Sequence, residues 1–322
     1  MLKASETLVG LKVVGNFVCK AEIADGTYSR IFLAENQNDG TRVAVKIAKE
    51  LDRPTTVKSQ FQTRTHAITE GAVITVHPDT ALVLSLQNRS MQYGYYGCYP
   101  WISHYEVRQG LPMYPMDVIE APTIRELLNR AELVPVSSFV QLFGLLSKQQ
   151  SRNASEYHGD LKPEHIFIGD QAPRLIDPGW FGPLHCDEGQ GLDCALTTPI
   201  YYPLLKPDDL LAFGIVMWEV ACKQHPMLMP EDSGSPAIGD SVRDWAKRYE
   251  NVGQYFLSPI VNIRRPAEIV ADMPPHLEQV LLKGLRLQIG ANGLIETGPG
   301  FESFPEWQDA IQNLIDRGIT HL

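Results

Sequence analysis

The first third of the chain is rich in short apolar, β-branched runs with polar residues between them. Residues 11–18, 31–34, 43–48 and 81–86 read as strands on those runs. NQNDG at 36–40, between two of them, predicts a hairpin turn. From Thr123 the period becomes helical. TIRELLNR at 123–130 opens on a candidate N-cap, Thr123, with Glu126 three residues later, the spacing of a capping box. Residues 137–149, 209–220 and 276–287 carry apolar side chains at intervals of three and four, and each predicts a helix. Two stretches fit neither period. Residues 87–115 hold Tyr93, Tyr95, Tyr96, Tyr99, Trp101, Tyr105 and Tyr114, which suits a packed β-hairpin better than a docking surface. Residues 290–304 are rich in Gly. The expectation is an α+β chain, sheet-rich at its N-terminal end and mainly helical beyond.

Composition narrows the classes of function. A chain of 322 residues makes two compact units or one large two-lobed one. The net charge of −10 leaves no basic field for a phosphate backbone, so nucleic acid is not an expected partner. A nucleotide is still compatible, since it needs only local N–H groups, one or two cations and a metal ion. The five cysteines, Cys19, Cys98, Cys186, Cys194 and Cys222, are odd in number and scattered, which suits free cytosolic thiols. His185, Cys186 and Cys194 lack a second ligand pair at finger spacing, so zinc is not expected. The longest apolar run, 210–222, is interrupted by Glu219. No membrane partner is expected, and the expected location is cytoplasmic.

The candidate chemistry lies in two short segments. In HGDLKPEHIFI at 158–168, Asp160 stands two residues before Lys162 and ahead of an apolar run. In LIDPG at 175–179, Asp177 follows an apolar pair and precedes a Pro-Gly turn. Phosphoryl transfer needs these parts: a carboxylate for the acceptor hydroxyl, another for Mg²⁺, and a lysine for the migrating group.

HGDLKPEH resembles the catalytic loop of protein kinases, H-R-D-L-x-x-x-N, and IDPG resembles their metal-binding D-F-G. VAVK at 43–46 resembles the third strand, whose lysine holds the α- and β-phosphates. IADGTYSRIF at 23–32 resembles the glycine-rich loop, with Gly26 kept and Ala24 and Ser29 at the other two glycine positions. YPMDVIEA at 114–121 resembles the hinge, with Met116 at the gatekeeper position. DLLAFG at 209–214, IVMWEV after it and HPM at 225–227 resemble the long buried helix and the segment beyond. The elements follow the family's order and span most of the chain.

The resemblance implies a two-lobed protein-kinase-like fold, with an antiparallel-sheet lobe at 1–118 and a helical catalytic lobe at 119–322. It implies ATP with Mg²⁺, adenine resting against Met116, Asp117 and Ile119, and phosphates held by Gly26 and Lys46. Glu70 becomes the candidate partner of Lys46, Asp177 the metal ligand, Asp160 the residue facing the acceptor hydroxyl, and Lys162 its neighbour at the γ-phosphoryl group. His158 is expected to brace the catalytic loop from the core, and Asp209 to hold loop N–H groups at a helix start.

Several positions depart from the family. His165 stands where the family has a metal-binding Asn. An imidazole there would shift preference towards Mn²⁺, or would hydrogen-bond to Asp160 and orient it. Gly159 replaces the arginine that receives a phosphorylated activation segment, although Thr197 and Thr198 are available acceptors. Pro178 replaces the Phe of D-F-G. Pro203 and Leu204 stand where the family has Pro-Glu, and no C-terminal arginine offers itself as partner to such a glutamate. The implied activity is a Ser/Thr-type protein kinase, with a protein substrate or regulatory partner. The alternatives are a pseudokinase binding module and a small-molecule kinase of the aminoglycoside or sugar type, whose relatives carry H-G-D.

Overall fold

The computed structural model describes residues 8–13, 15–25, 29–48, 55–58, 61–62, 68–69, 73–76, 106–108, 111–152, 157–178, 180–185, 191–196, 198, 201–202, 208–226 and 263–322. Gly26, Glu70, the predicted strand 81–86, Thr197, Pro203, Leu204, Met227 and most of the tyrosine-rich stretch lie outside them. The chain divides into two compact units, Met1–Gln60 with Ile68–Glu120, and Phe61–Ala67 with Ala121–Leu322. Among the described residues no helix is long and apolar enough to cross a membrane.

The first unit is built on alternation. Strands β1 (Phe17–Asp25), β2 (Ser29–Asn36), β3 (Arg42–Ala48), β4 (Glu106–Arg108) and β5 (Leu111–Met116) form one antiparallel sheet in the order β1-β2-β3-β5-β4. The predicted 36–40 turn joins β2 to β3, closed by Gly40 N–H donating to the Asn36 carbonyl. The first strand starts later than its apolar pattern suggests, because 11–13 touch β1 only through a bridge from Lys12 to Val18. The end of the tyrosine-rich stretch is a hairpin, β4 with β5, and buries Tyr114. Side chains alternate across a strand. One face therefore buries Cys19, Phe32, Ala34, Val45, Ile47 and Met113 against Leu8 and Val13. The other carries Ala44, Tyr114 and Met116, with Ile31 and Val118 packed on them.

The second unit is helical: α1 (Ile124–Asn129), α2 (Val136–Arg152), α3 (Asp209–Cys222), α4 (Pro275–Gly284) and α5 (Phe304–Asp316). The predicted capping box starts α1, with Thr123 and Glu126 bonding each other's backbone N–H. Helix α3 is apolar almost all round, which is the signature of a buried helix. Its Phe213 packs against Phe139 and Phe143 of α2, and Phe143 stacks on Trp307 of α5 at 5.4 Å. A small hairpin, Leu287–Ile289 with Ile295–Thr297, spans the start of the Gly-rich stretch expected to be irregular. Both described free cysteines are buried. Burial pushes the Cys19 thiol up to about 11 and that of Cys222 up to about 12, so neither is a ready nucleophile.

Helix α3 crosses α4 without side chains at the contact. A Cβ on Gly214 would stand 2.2 Å from the Gly284 carbonyl oxygen, and one on Gly284 would stand 2.7 Å from the Trp307 ring. Backbone on backbone leaves no flexible tip to give way.

The start of α3 holds the segment that precedes it in the chain. Asp209, 4% exposed, accepts hydrogen bonds from the N–H groups of His158 (2.6 Å) and Gly159 (2.9 Å) and from the Tyr202 hydroxyl (2.7 Å). Gly159 sits at φ 76, a left-handed conformation that a side chain would strain. The residue that looked like a lost arginine is thus also a backbone requirement. His158, fully buried, takes the Asp160 N–H on Nδ1 and lies 3.0 Å from the Ile176 carbonyl through Nε2, so the neutral tautomer carries its proton on Nε2. Burial, with His165 nearby, pulls the imidazole down to about 4.

Two predictions follow from these contacts. Gly214→Ala should destabilise the C-terminal unit by about 1–3 kcal/mol through overpacking, read as a lower denaturant midpoint. A midpoint equal to wild type would mean the helices can separate freely. His158 is neutral in the fold and has a lower pKa there than in the unfolded chain. Its contribution is therefore fully present above about pH 6.5 and declines towards pH 4, by about 3 kcal/mol in all. The stability gap between wild type and His158→Gln should narrow across that window. A gap that stays constant with pH would show that His158 does not resist protonation.

Candidate active site

Two antiparallel fragments frame the catalytic-loop candidate: Ile166–Phe167 pairs with Arg174–Leu175. One turn of 3-10 helix, Pro163–His165, precedes the first fragment, with Pro163 at the position where a missing N–H costs nothing. Asp160, Lys162 and His165 lie on one side of this pairing, and Asp177 follows on the other. The Ile176 N–H donates to the His165 carbonyl at 3.1 Å, which ties the two segments together immediately before Asp177.

Asp160 is the centre of the cluster. Its Oδ1 accepts the Thr198 N–H at 2.7 Å, and its Oδ2 lies 3.1 Å from Lys162 Nζ. Lys162 also donates to the Thr198 hydroxyl at 2.8 Å, closing a three-member ring of contacts. Burial pushes the Asp160 carboxyl up, but Lys162, His165 and the Thr198 bond outweigh it and hold the carboxyl below its usual range. The group therefore stays ionised although it is only 9% exposed. Thr198 is buried and built into the site; it does not stand out as a phosphate acceptor.

His165 turns its Nδ1 to Asp160, 2.9 Å from the backbone carbonyl and 3.4 Å from Oδ2. Burial and the Lys162 charge lower its pKa, while Asp160 and Asp177 act the other way. A neutral ring with Nδ1–H on the carbonyl is the arrangement of an orienting group. Any metal bond would have to use Nε2. Asp177 takes a left-handed φ of 53, where few residues other than Gly, Asn and Asp settle, and the buried Pro178 follows it. The chain then runs through an antiparallel hairpin, Trp180–His185 with Gly191–Leu196, before reaching Thr198.

In the first unit, strand register assigns Lys46 its neighbours. It lies between Ile31 and Tyr114, two positions along from the Ala44–Met116 pair, on the sheet face that carries Tyr114 and Met116. It is 6% exposed. Met116 is buried, Ile119 half-buried and Asp117 exposed, and Glu120 pairs with Arg42 at 3.1 Å.

Several residues at this site carry no motif. Tyr202 donates to Asp209 and accepts the Leu161 N–H at 2.8 Å, so one hydroxyl links the loop to α3. Arg125 of α1 reaches Glu164, Glu219 and Tyr201 with its three nitrogens. A C-terminal arginine does anchor the chain ahead of α3: Arg286 pairs at 2.6 Å with Asp208, the N-cap of that helix. Reading the sequence for a glutamate partner passed over this aspartate. For Arg125 the available signal was Glu219 inside the buried apolar run 210–222, since a carboxylate there must find donors.

No family model matches the chain, and no curated protein matches it in sequence. Solved structures do. The kinase domain of PknI from Mycobacterium tuberculosis is similar at 11% identity and a TM-score of 0.53, covering 96% of this chain and 100% of that one. A single mutant and a double mutant of the same domain are similar at 10% identity and the same TM-score, with 96% of this chain covered and 100% and 99% of theirs. The chain has a protein-kinase-like α+β fold, with an antiparallel-sheet N-terminal lobe and a mainly helical C-terminal lobe.

Proposed function

We propose that the protein is an ATP- and Mg²⁺-dependent phosphotransferase that passes the γ-phosphoryl group to a hydroxyl of a protein substrate. The observation that carries this reading is Asp160, a buried carboxylate held ionised by a backbone N–H on one oxygen and an ammonium on the other. Such a group orients an acceptor hydroxyl and takes its proton as the new P–O bond forms. Lys162, already at that carboxylate, stabilises charge on the transferred group.

The remaining roles follow the kinase-like fold. Asp177 supplies the oxygen ligand that a hard cation prefers, so the donor chemistry suits Mg²⁺. Once bound, the ion would supply charge neutralisation at the phosphates. Lys46 would hold the α- and β-phosphates, with Gly26 covering them and Glu70 orienting the lysine. Met116, Asp117 and Ile119 would line the adenine. His165 supports a second reading, a nucleotide-binding module with little transfer, because its Nδ1 is committed to Asp160 and it offers no oxygen to a second metal ion.

Incubation with labelled ATP and either Mg²⁺ or Mn²⁺ tests the proposal. Asp160→Ala should lower transfer by about 10²–10⁴-fold and leave ATP binding by calorimetry unchanged. Asp177→Ala should lose metal-dependent binding. Equal loss of binding in both variants would overturn this division of roles, and a wild-type protein that binds no ATP would overturn the nucleotide reading. His165→Asn should lower transfer with both metals alike, since it removes the Nδ1 contact to Asp160. A gain confined to Mg²⁺ would instead identify His165 as a poor metal ligand.

A further inference from the structure

A single guanidinium connects the two segments that flank Asp160. Arg125 Nε donates to Glu164 Oε1 at 2.8 Å, Nη1 to Glu219 Oε1 at 2.6 Å, and Nη2 to the Tyr201 hydroxyl at 3.1 Å. The Tyr201 hydroxyl in turn donates a hydrogen bond to Glu219 Oε2 at 2.6 Å. Each of the three guanidinium nitrogens donates a bond, a geometry that a lysine cannot copy. Burial works against the Arg125 charge, but Glu219, Tyr201 and Glu164 more than restore it.

Two of Arg125's partners belong to turns that also carry residues touching Asp160. Glu164 belongs to the 3-10 turn Pro163–His165, directly between Lys162 and His165. Tyr201 belongs to the turn in which the N–H groups of Tyr201 and Tyr202 both donate to the Thr198 carbonyl, at 2.9 and 3.1 Å. Thr198 in turn gives its N–H to Asp160. Glu219, on the fully packed helix α3, is the fixed point against which both are set.

We infer that Arg125 is a positioning residue for the Asp160 carboxylate: it registers the Lys162–His165 turn and the Thr198–Tyr202 turn against helix α3, so that Lys162 and Thr198 meet the same carboxylate. Its catalytic consequence rests on the proposed phosphotransfer; the structural coupling does not. Because both turns depend on one fork, disturbing the fork loosens both together, whereas removing the Tyr201 hydroxyl loosens only the Thr198 side.

Hydrogen exchange of the full chain, with Arg125→Lys and Tyr201→Phe, tests this. Arg125→Lys keeps the charge and loses the fork. It should speed exchange about tenfold or more at the Thr198 amide and in residues 161–166, with the amides of α5 unchanged. Tyr201→Phe should speed exchange at Thr198 alone, and the double variant should be no faster there than Arg125→Lys, since both act through one contact. In the transfer assay Arg125→Lys should lower kcat about tenfold and leave KM for ATP unchanged. Faster exchange that is uniform across the chain, α5 included, would reduce Arg125 to a general stabiliser and overturn the inference. So would a Thr198 amide that exchanges at the wild-type rate. A wild-type protein with no transfer would remove the proposed function, and the exchange result would still decide whether Arg125 couples the two turns.

Discussion

The C-terminal unit of this protein depends on one buried carboxylate. Asp209 opens the central helix with its side chain out of solvent, where an unpaired charge would be prohibitive. It is satisfied by two successive N–H groups of the loop, at His158 and Gly159, and by one tyrosine hydroxyl. Those bonds fix the backbone immediately before Asp160. The helix that carries Asp209 is itself immobilised, packed by aromatic rings on one side and by bare backbone against Gly284 on another. The buried loop is thereby tied to the core helix, as a functional constellation requires.

Around that anchor the charges are arranged in two layers. The inner layer is Asp160 with Lys162, His165 and Thr198. The outer layer is Arg125 with Glu164, Glu219 and Tyr201. In these layers each carboxylate faces a cation, Asp160 with Lys162 and both Glu164 and Glu219 with Arg125, while Glu164 Oε2 is buried without a hydrogen-bond donor. The segment between Asp177 and α3 has no glutamate where protein kinases have Pro-Glu. Its end is held by tyrosine hydroxyls and by the Asp208–Arg286 pair. The fold is kinase-like at 10–11% identity to the solved kinase domains.

Strands β2 and β3, the turn at 36–40 and the places of α1, α2 and α3 could be read from the sequence because their causes are local: β-branched runs, turn residues, a capping box and helical periodicity. The pairing of Asp160 with Lys162, two residues apart, is local for the same reason, and so is the place of Lys46 on a strand face. The late start of β1 and the hairpin at the start of the Gly-rich stretch were not legible. Pairing partners decide those, and the partners lie elsewhere in the chain. What only the tertiary structure decided is how distant groups share one site. Arg125 meets Glu219 across 94 positions, and Thr198 meets Asp160 across 38. No spacing rule spans such distances, because the helices that bring the residues together are placed by packing. Which nitrogen of His165 faces Asp160 was likewise set by the fold, which places Nδ1 2.9 Å from the Asp160 backbone carbonyl.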